Sequence, residues 1–185
     1  MNKDKIIQLT IQYGGEYGLN HTKRLLYIIS LIGEGMKFDE KVLWVAAYLH
    51  DWGAYPTWAL SGVDHAERSK QVAENFLSEE GYEQGFINHV LECIEYHHGG
   101  HERRSIESKL LSDADAIDFC GVVGILREFS TKPREVRKAF ESIKSRMDKN
   151  RNVIYFDKSK QIFENRIVRA KKLLSEFEEE SFGYF

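Results

Sequence analysis

Apolar residues along the chain recur at spacings of three and four with almost no strict alternation, which is the period of amphipathic helices nearly throughout. A first short helix is predicted over residues 4–13, broken by Gly14-Gly15. A second covers 20–33, with Asn20 as its cap and Leu25, Ile28, Ile29 and Ile32 as its stripe. The next begins after Phe38 with Asp39 as cap and Glu40 in the first turn, where the dipole favours it, and continues through VLWVAAYLHDWGA, with Val42, Ala46, Leu49 and Gly53 on one face. A loop containing Gly53, Pro56 and Gly62 leads to DHAERSKQVAENFLSEE, whose Ala66, Val72, Ala73, Phe76 and Leu77 mark a helix closed by Gly81. Another helix is expected over 83–96, ended by Gly99-Gly100. ESKLLSDADAIDFCGVVGILREF then reads as one buried helical stretch with few surface-type positions. In the last third, Pro133 marks a helix start, and two long polar helices are separated by a loop over 150–156. The predicted fold class is all-α.

At 185 residues the chain has the size of one domain, and its 42% hydrophobic and 30% charged residues, with 14 Gly against 2 Pro, are those of a globular protein without a linker. Cys93 and Cys120 have no partner at zinc-finger spacing and are read as reduced core thiols. No segment reaches the roughly 20 apolar residues of a membrane helix, and the first residues do not resemble a signal peptide; the expectation is a cytoplasmic protein with no membrane partner. A formal charge of −3 and a pI near 6.2 argue against a broad footprint for nucleic acid. Duplex nucleic acid is not expected as a partner, although a local basic cluster is compatible with a small phosphorylated ligand.

Three groups of residues sit where an ordinary helix would not place them. His50 and Asp51 close an otherwise apolar helix just before a glycine, and a carboxylate entering such a segment needs a hydrogen-bonded cation or a metal to offset lost hydration. In SDADAID, Asp113, Asp115 and Asp118 interrupt core positions Leu110, Leu111, Ala114 and Ile117. No Lys or Arg lies between Lys109 and Arg127 to neutralise them, and such a cluster suits a hard cation. His21 opens a predicted helix one turn before Arg24. His65 starts the DHAERS helix, and His97 and His98 end the stripe of Ile87, Leu91 and Ile94. His89 and His101 extend no apolar stripe and are read as solvated surface.

Taken in order, these positions form H…HD…D, with 29 residues from His21 to His50 and 64 from Asp51 to Asp115. The text around them is HTKR from His21, AAYLHDWG from Ala46, DHAERS from Asp64, IEYHH from Ile94, ESKLLSDADAID from Glu107 and GVVGILREF from Gly121. This sequence resembles the HD superfamily of metal-dependent phosphohydrolases, and more closely a group of small bacterial HD-domain hydrolases. The resemblance implies a single HD-domain helical bundle over 1–185, with a core over about 20–130 and a C-terminal helical extension over about 131–185.

It also implies that His21, His50, Asp51 and Asp115 hold a divalent metal, with Asp115 preferred over Asp113 by family register. His65 and His97 are implied to line the same cleft, either as ligands of a second metal or as proton donors and phosphate contacts. Asp118 joins them as a candidate for orienting water, and Arg24 and Lys109 as candidate phosphate contacts. Imidazole and carboxylate donors suit manganese, iron, nickel, cobalt or zinc. The implied activity is hydrolysis of a phosphate mono- or diester of a nucleotide-like small molecule by a metal-activated water. The alternative is a metal-containing nucleotide-binding or sensor protein without turnover. Trp52, Tyr55 and Trp58 form an aromatic loop suited either to stacking on a base or to closing the pocket. The terminal SFGYF either packs back on the core or meets a second subunit of a homodimer.

Overall fold

A computed structural model describes residues 2–185, and among them it shows α-helices, one 3-10 turn and no strand, as the apolar spacing requires. The helices are α1 (Lys3–Ile32), α2 (Glu40–Leu49), α3 (His65–Glu79), α4 (Gln84–Glu95), α5 (Ile106–Phe119), α6 (Val122–Thr131), α7 (Val136–Arg151) and α8 (Asp157–Glu180), with the 3-10 turn at Trp52–Ala54. The chain forms two compact units, Met1–Ala114 and Asp115–Phe185, divided within α5.

In the first unit α2 is buried on nearly every side, from Val42 through Leu49, and packs against α1 and α4. Its start is set by Asp39, whose carboxylate accepts from the backbone N–H groups of Lys41 and Val42 at 2.9 and 3.0 Å. The Asp39 N–H in turn donates to Glu107 at 2.6 Å, and the other oxygen of that buried carboxylate lies 3.1 Å from His89 Nε2. His89 is therefore not a solvated surface residue: it is half-buried, and its partner belongs to a helix 18 residues further on. His101 is exposed, as expected, with its ring edge-on to Tyr96.

The break expected at Gly14-Gly15 is present: α1 (Lys3–Ile32) is two helical segments meeting at a kink at Gly15, whose φ of 60° and ψ of −163° are open to glycine, but the second segment resumes directly after the kink and does not start at Asn20. Tyr55 lies across this part of α1. A Cβ at Gly14 would fall 2.3 Å from the Tyr55 ring, and one at Gly18 2.4 Å from its hydroxyl. The glycines therefore admit an aromatic ring as well as breaking a helix, and His21 sits well inside α1 and not in a first turn.

In the second unit α6, α7 and α8 pack on one another around Ala139, Phe140, Ile143, Met147, Phe163, Ile167, Ala170 and Leu174. The stretch read as one buried helix ends at Phe119 and resumes as α6 at Val122. α6 is amphipathic, turning Gly124, Ile125 and Glu128 inward and leaving Val122, Val123 and Leu126 exposed. Pro133 precedes α7 by a turn. Phe185 packs back on its own unit, against Phe140 and Phe177 at 5.0 and 4.9 Å, while Phe182 and Tyr184 face solvent. Cys93 and Cys120 are free and buried.

Candidate metal centre

The site in the first unit grows out of the end of α2. His50 is the C-cap of that helix and Asp51 leads into the 3-10 turn, and both are held by the residues immediately after them. Trp52 is fully buried, donates its Nε1–H to Thr10 Oγ1 at 3.0 Å and stacks on Trp58 at 4.9 Å. The aromatic loop thus anchors the end of α2 in the core. Gly53 lies directly against α3: its N–H donates to Ser69 Oγ at 2.8 Å, and a Cβ there would meet the Ser69 backbone nitrogen at 2.3 Å. With the backbone clamped on both sides, the short His50 and Asp51 side chains have few directions to take.

His21 comes from α1 to meet them. Its Nε2 lies 3.3 Å from His50 Nε2, and Asp51 Oδ2 lies 3.6 Å from the first and 3.4 Å from the second. Both histidines are 1% exposed. His50 Nδ1 sits 2.9 Å from the Ala47 carbonyl, an acceptor only, so the ring proton is assigned to Nδ1 and the Nε2 lone pair faces His21 and Asp51. Burial would push the Asp51 carboxyl up, but whenever His50, His21 and His97 carry a second ring proton, their charges and the hydrogen bond from His50 outweigh it and hold the group well below the usual carboxylate range; a bound cation would take the place of those protons.

A second cluster stands beside the first. His65 opens α3, behind an N-cap in which Asp64 accepts from Ala66 and Glu67, while His97 and His98 come just after the end of α4. His98 Nε2 is 2.7 Å from His65 Nε2, and the His97 and His98 rings are 3.9 Å apart. His97, 1% exposed, has its Nδ1 2.6 Å from the Ile94 carbonyl, the same arrangement as in His50. Asp51 faces both groups, with Oδ2 toward His21 and His50 and Oδ1 4.0 Å from His65 Nε2.

The donor sets fit a divalent ion. Ligand atoms about 2.1 Å from a common ion lie about 3.0 to 3.4 Å from one another in tetrahedral or octahedral arrangements. The His21, His50 and Asp51 atoms are already close to that spacing, and each of the two trios has its donor atoms within 4.8 Å of one another. Three otherwise repelling lone-pair groups are thus gathered in a largely buried place.

The remaining predicted residues lie on α1 and α5. Arg24 is half-buried one turn after His21, and Lys109 is half-buried on α5. Asp113 is fully buried in the first unit. Asp115 and Asp118 are buried in the second, where Asp118 accepts from Arg127 at 2.9 Å. Sequence reasoning selected His97 but passed over His98 as a ligand. The signal was the tandem histidine itself: beyond the last helical residue, Glu95, neighbouring side chains need not diverge as they do on a helix.

The sequence profile of the HD domain family matches residues 18–120, and the chain belongs to that family. Among solved structures, a predicted HD superfamily hydrolase from an uncultured Thermotogales bacterium is 26% identical, with 97% of this chain and 92% of that one covered at a TM-score of 0.68. Bacillus subtilis YpgQ in complex with ADP shares the fold at a TM-score of 0.71 and 21% identity, over 96% and 93% of the two chains. Ribonuclease Y of Helicobacter acinonychis (strain Sheeba) is 28% identical over 188 residues, a match that takes in 95% of this chain but only 34% of that protein. The chain thus spans about a third of the length of that relative.

Proposed function

We propose that this HD-family chain is a metal-dependent phosphohydrolase that cleaves a phosphate mono- or diester of a nucleotide-like small molecule. The observation that carries the reading is the convergence of His21 Nε2, His50 Nε2 and Asp51 Oδ2, with the His50 ring locked by its own helix so that a lone pair faces inward. Family register adds Asp115 as a further ligand. A divalent ion of the manganese, iron, nickel, cobalt or zinc type would supply Lewis-acid polarisation of a phosphoryl oxygen and acidify a water.

The chain's own groups do the rest. Asp51 offers a separate oxygen to each histidine cluster, so it is the group that can couple them. His65, His97 and His98 are proposed either to hold a second ion or to hand a proton to the leaving oxygen, which their lone-pair and N–H chemistry allows at neutral pH. Arg24 and Lys109 are proposed as phosphate contacts. Asp118 is the weakest member of the set, because Arg127 already engages its carboxylate.

Metal analysis of the purified protein tests the site: near-stoichiometric transition metal should be present and should be lost in His50→Ala and Asp115→Ala. Equal metal in wild type and both variants would sink the assignment. Turnover is read on a panel of mononucleotides, cyclic nucleotides, short oligonucleotides and generic phosphoesters with manganese, nickel or cobalt, and should vanish in Asp51→Ala. A metal-loaded protein that hydrolyses nothing on the panel would favour the nucleotide-sensing alternative.

A further inference from the structure

Charge is unevenly distributed along the chain. Residues 127–172 carry 15 Lys and Arg against 6 Asp and Glu, a net +9, whereas the rest carries 11 against 23, a net −12. The modest overall charge conceals a basic tract that includes all of α7 and most of α8. Carboxylates within it are largely engaged already: Glu128 by Lys132 and Arg146, Glu135 by Lys138, Asp157 by Lys160, and Glu164 by Arg151 through two bonds of 2.8 and 2.9 Å.

Half of the basic residues of α8 share one outward stripe, while Lys160 and Lys171 are exposed on another flank. On this helix Phe163, Ile167, Ala170 and Leu174 are buried, while Lys158, Gln161, Asn165, Arg169 and Lys172 are exposed at helical spacing. From Lys158 to Lys172 the stripe is about 21 Å long at the α-helical rise. Between Asp157 and Glu176 the helix carries one carboxylate, Glu164, which Arg151 holds, while Glu176 lies 3.8 Å from Lys172 in an exposed pair. In the turn before α8, between Arg151 and Lys158 in sequence, Tyr155 is 45% exposed.

We infer that the outward face of α8, together with Tyr155, is a binding surface for single-stranded nucleic acid. Lys158 at one end of the stripe and Arg169 with Lys172 at the other meet phosphates along the strand, Gln161 and Asn165 between them offer donors and acceptors to sugar and base edges, and the Tyr155 ring takes a base by stacking. Stacking favours a single strand over a duplex, whose base faces are covered by their neighbours. An anionic membrane fits less well, because an interfacial helix needs an apolar face to insert and the exposed side of α8 presents Val168 amid polar residues. This surface does not depend on the hydrolase reading.

The test is fluorescence anisotropy of a short labelled oligouridylate with the full-length chain in EDTA, titrated across potassium chloride concentrations. Parallel titrations use an RNA duplex of the same length and phosphatidylcholine–phosphatidylserine vesicles. The single strand should bind most tightly, with log affinity falling linearly against log salt. The triple variant Lys158→Gln, Arg169→Gln, Lys172→Gln should bind at least about tenfold more weakly, with a slope shallower by about 2, at roughly 0.7 per lost phosphate contact. Tyr155→Ala should weaken binding about fivefold or more at an unchanged slope. A Lys23→Gln, Lys37→Gln variant, altered at exposed lysines of the first unit, should match wild type. Salt-independent or absent binding by wild type, a triple variant indistinguishable from it, or tighter binding to duplex or vesicles would each overturn the inference; the wild-type titrations need no variant to fold.

Discussion

Gly53 is the position where one added methyl group should do the most damage. Its ideal Cβ would lie 2.3 Å from the Ser69 nitrogen, 2.6 Å from the Arg68 carbonyl carbon and 2.7 Å from the His65 carbonyl oxygen. All three are backbone atoms of α3, so no side-chain rotation relieves the overlap. Reaching a tolerable separation means moving the 3-10 turn and α3 apart by about 1 Å, with overpacking strain of about 1 to 3 kcal/mol. The same movement stretches the 2.8 Å bond from the Gly53 N–H to Ser69 Oγ, and a buried N–H left unpaired costs about another 1 to 3 kcal/mol. For Gly53→Ala the expected loss is about 2 to 6 kcal/mol, or about 4 to 24 °C in Tm for a chain of this size.

Because His65 is itself one of the clashing residues, the variant should also disturb the His65–His97–His98 trio and lower metal uptake beyond what its stability predicts. Gly85→Ala is the matched control. It makes the same chemical change in the first turn of α4, where a Cβ meets nothing within 4 Å, and should be neutral or stabilise by about 0.5 kcal/mol. The assay is thermal and urea unfolding of both variants beside wild type. A Gly53→Ala protein that melts with wild type would refute the close-approach argument.

Individual contacts give further expected outcomes. Thr10→Val keeps the volume but removes the acceptor of the buried Trp52 Nε1–H, and urea unfolding should register a loss of about 1 to 3 kcal/mol; an unchanged midpoint would mean the indole finds another partner. Burial pushes the Cys120 thiol up to about 12 and raises Cys93 as well, so neither should react with a thiol reagent at mild alkaline pH until the protein unfolds. Since the unfolded chain ionises these thiols near pH 9 and the folded chain does not, their contribution to stability is present below that pH and declines above it; prompt labelling of native protein would contradict this. Burial alone would raise the Glu128 carboxyl, but Lys132, Ser142 and Arg146 together hold it below its ordinary value. Its stabilisation is therefore present above the unfolded-state pKa of about 4.5 and lost as pH falls through the lower folded value. Glu128→Gln should flatten that acid limb in pH-dependent unfolding, and an identical limb would remove Glu128 from the account.

What the sequence determined by itself is what depends on near neighbours or on chemistry that looks out of place. Helical periodicity, the cap at Asp39, the stop at Gly81 and the amphipathic α4 are local, because each is decided within one or two turns of backbone. The order of His21, His50 and Asp51 was legible because ionisable groups in apolar segments need a partner wherever they end up.

Tertiary structure alone decided the rest. The break at Gly14-Gly15 was legible, but that Gly14 and Gly18 make room for the Tyr55 ring, some 40 residues away, was not. His89 looked like surface because its partner Glu107 belongs to another helix, and His98 became a ligand candidate only when α3 brought His65 within 2.7 Å of it. The physical reason is the same in each case. Hydrogen bonding along the backbone is set by neighbours, whereas the desolvation and pairing of side chains are set by whatever the fold brings against them, and no spacing in the sequence encodes that contact.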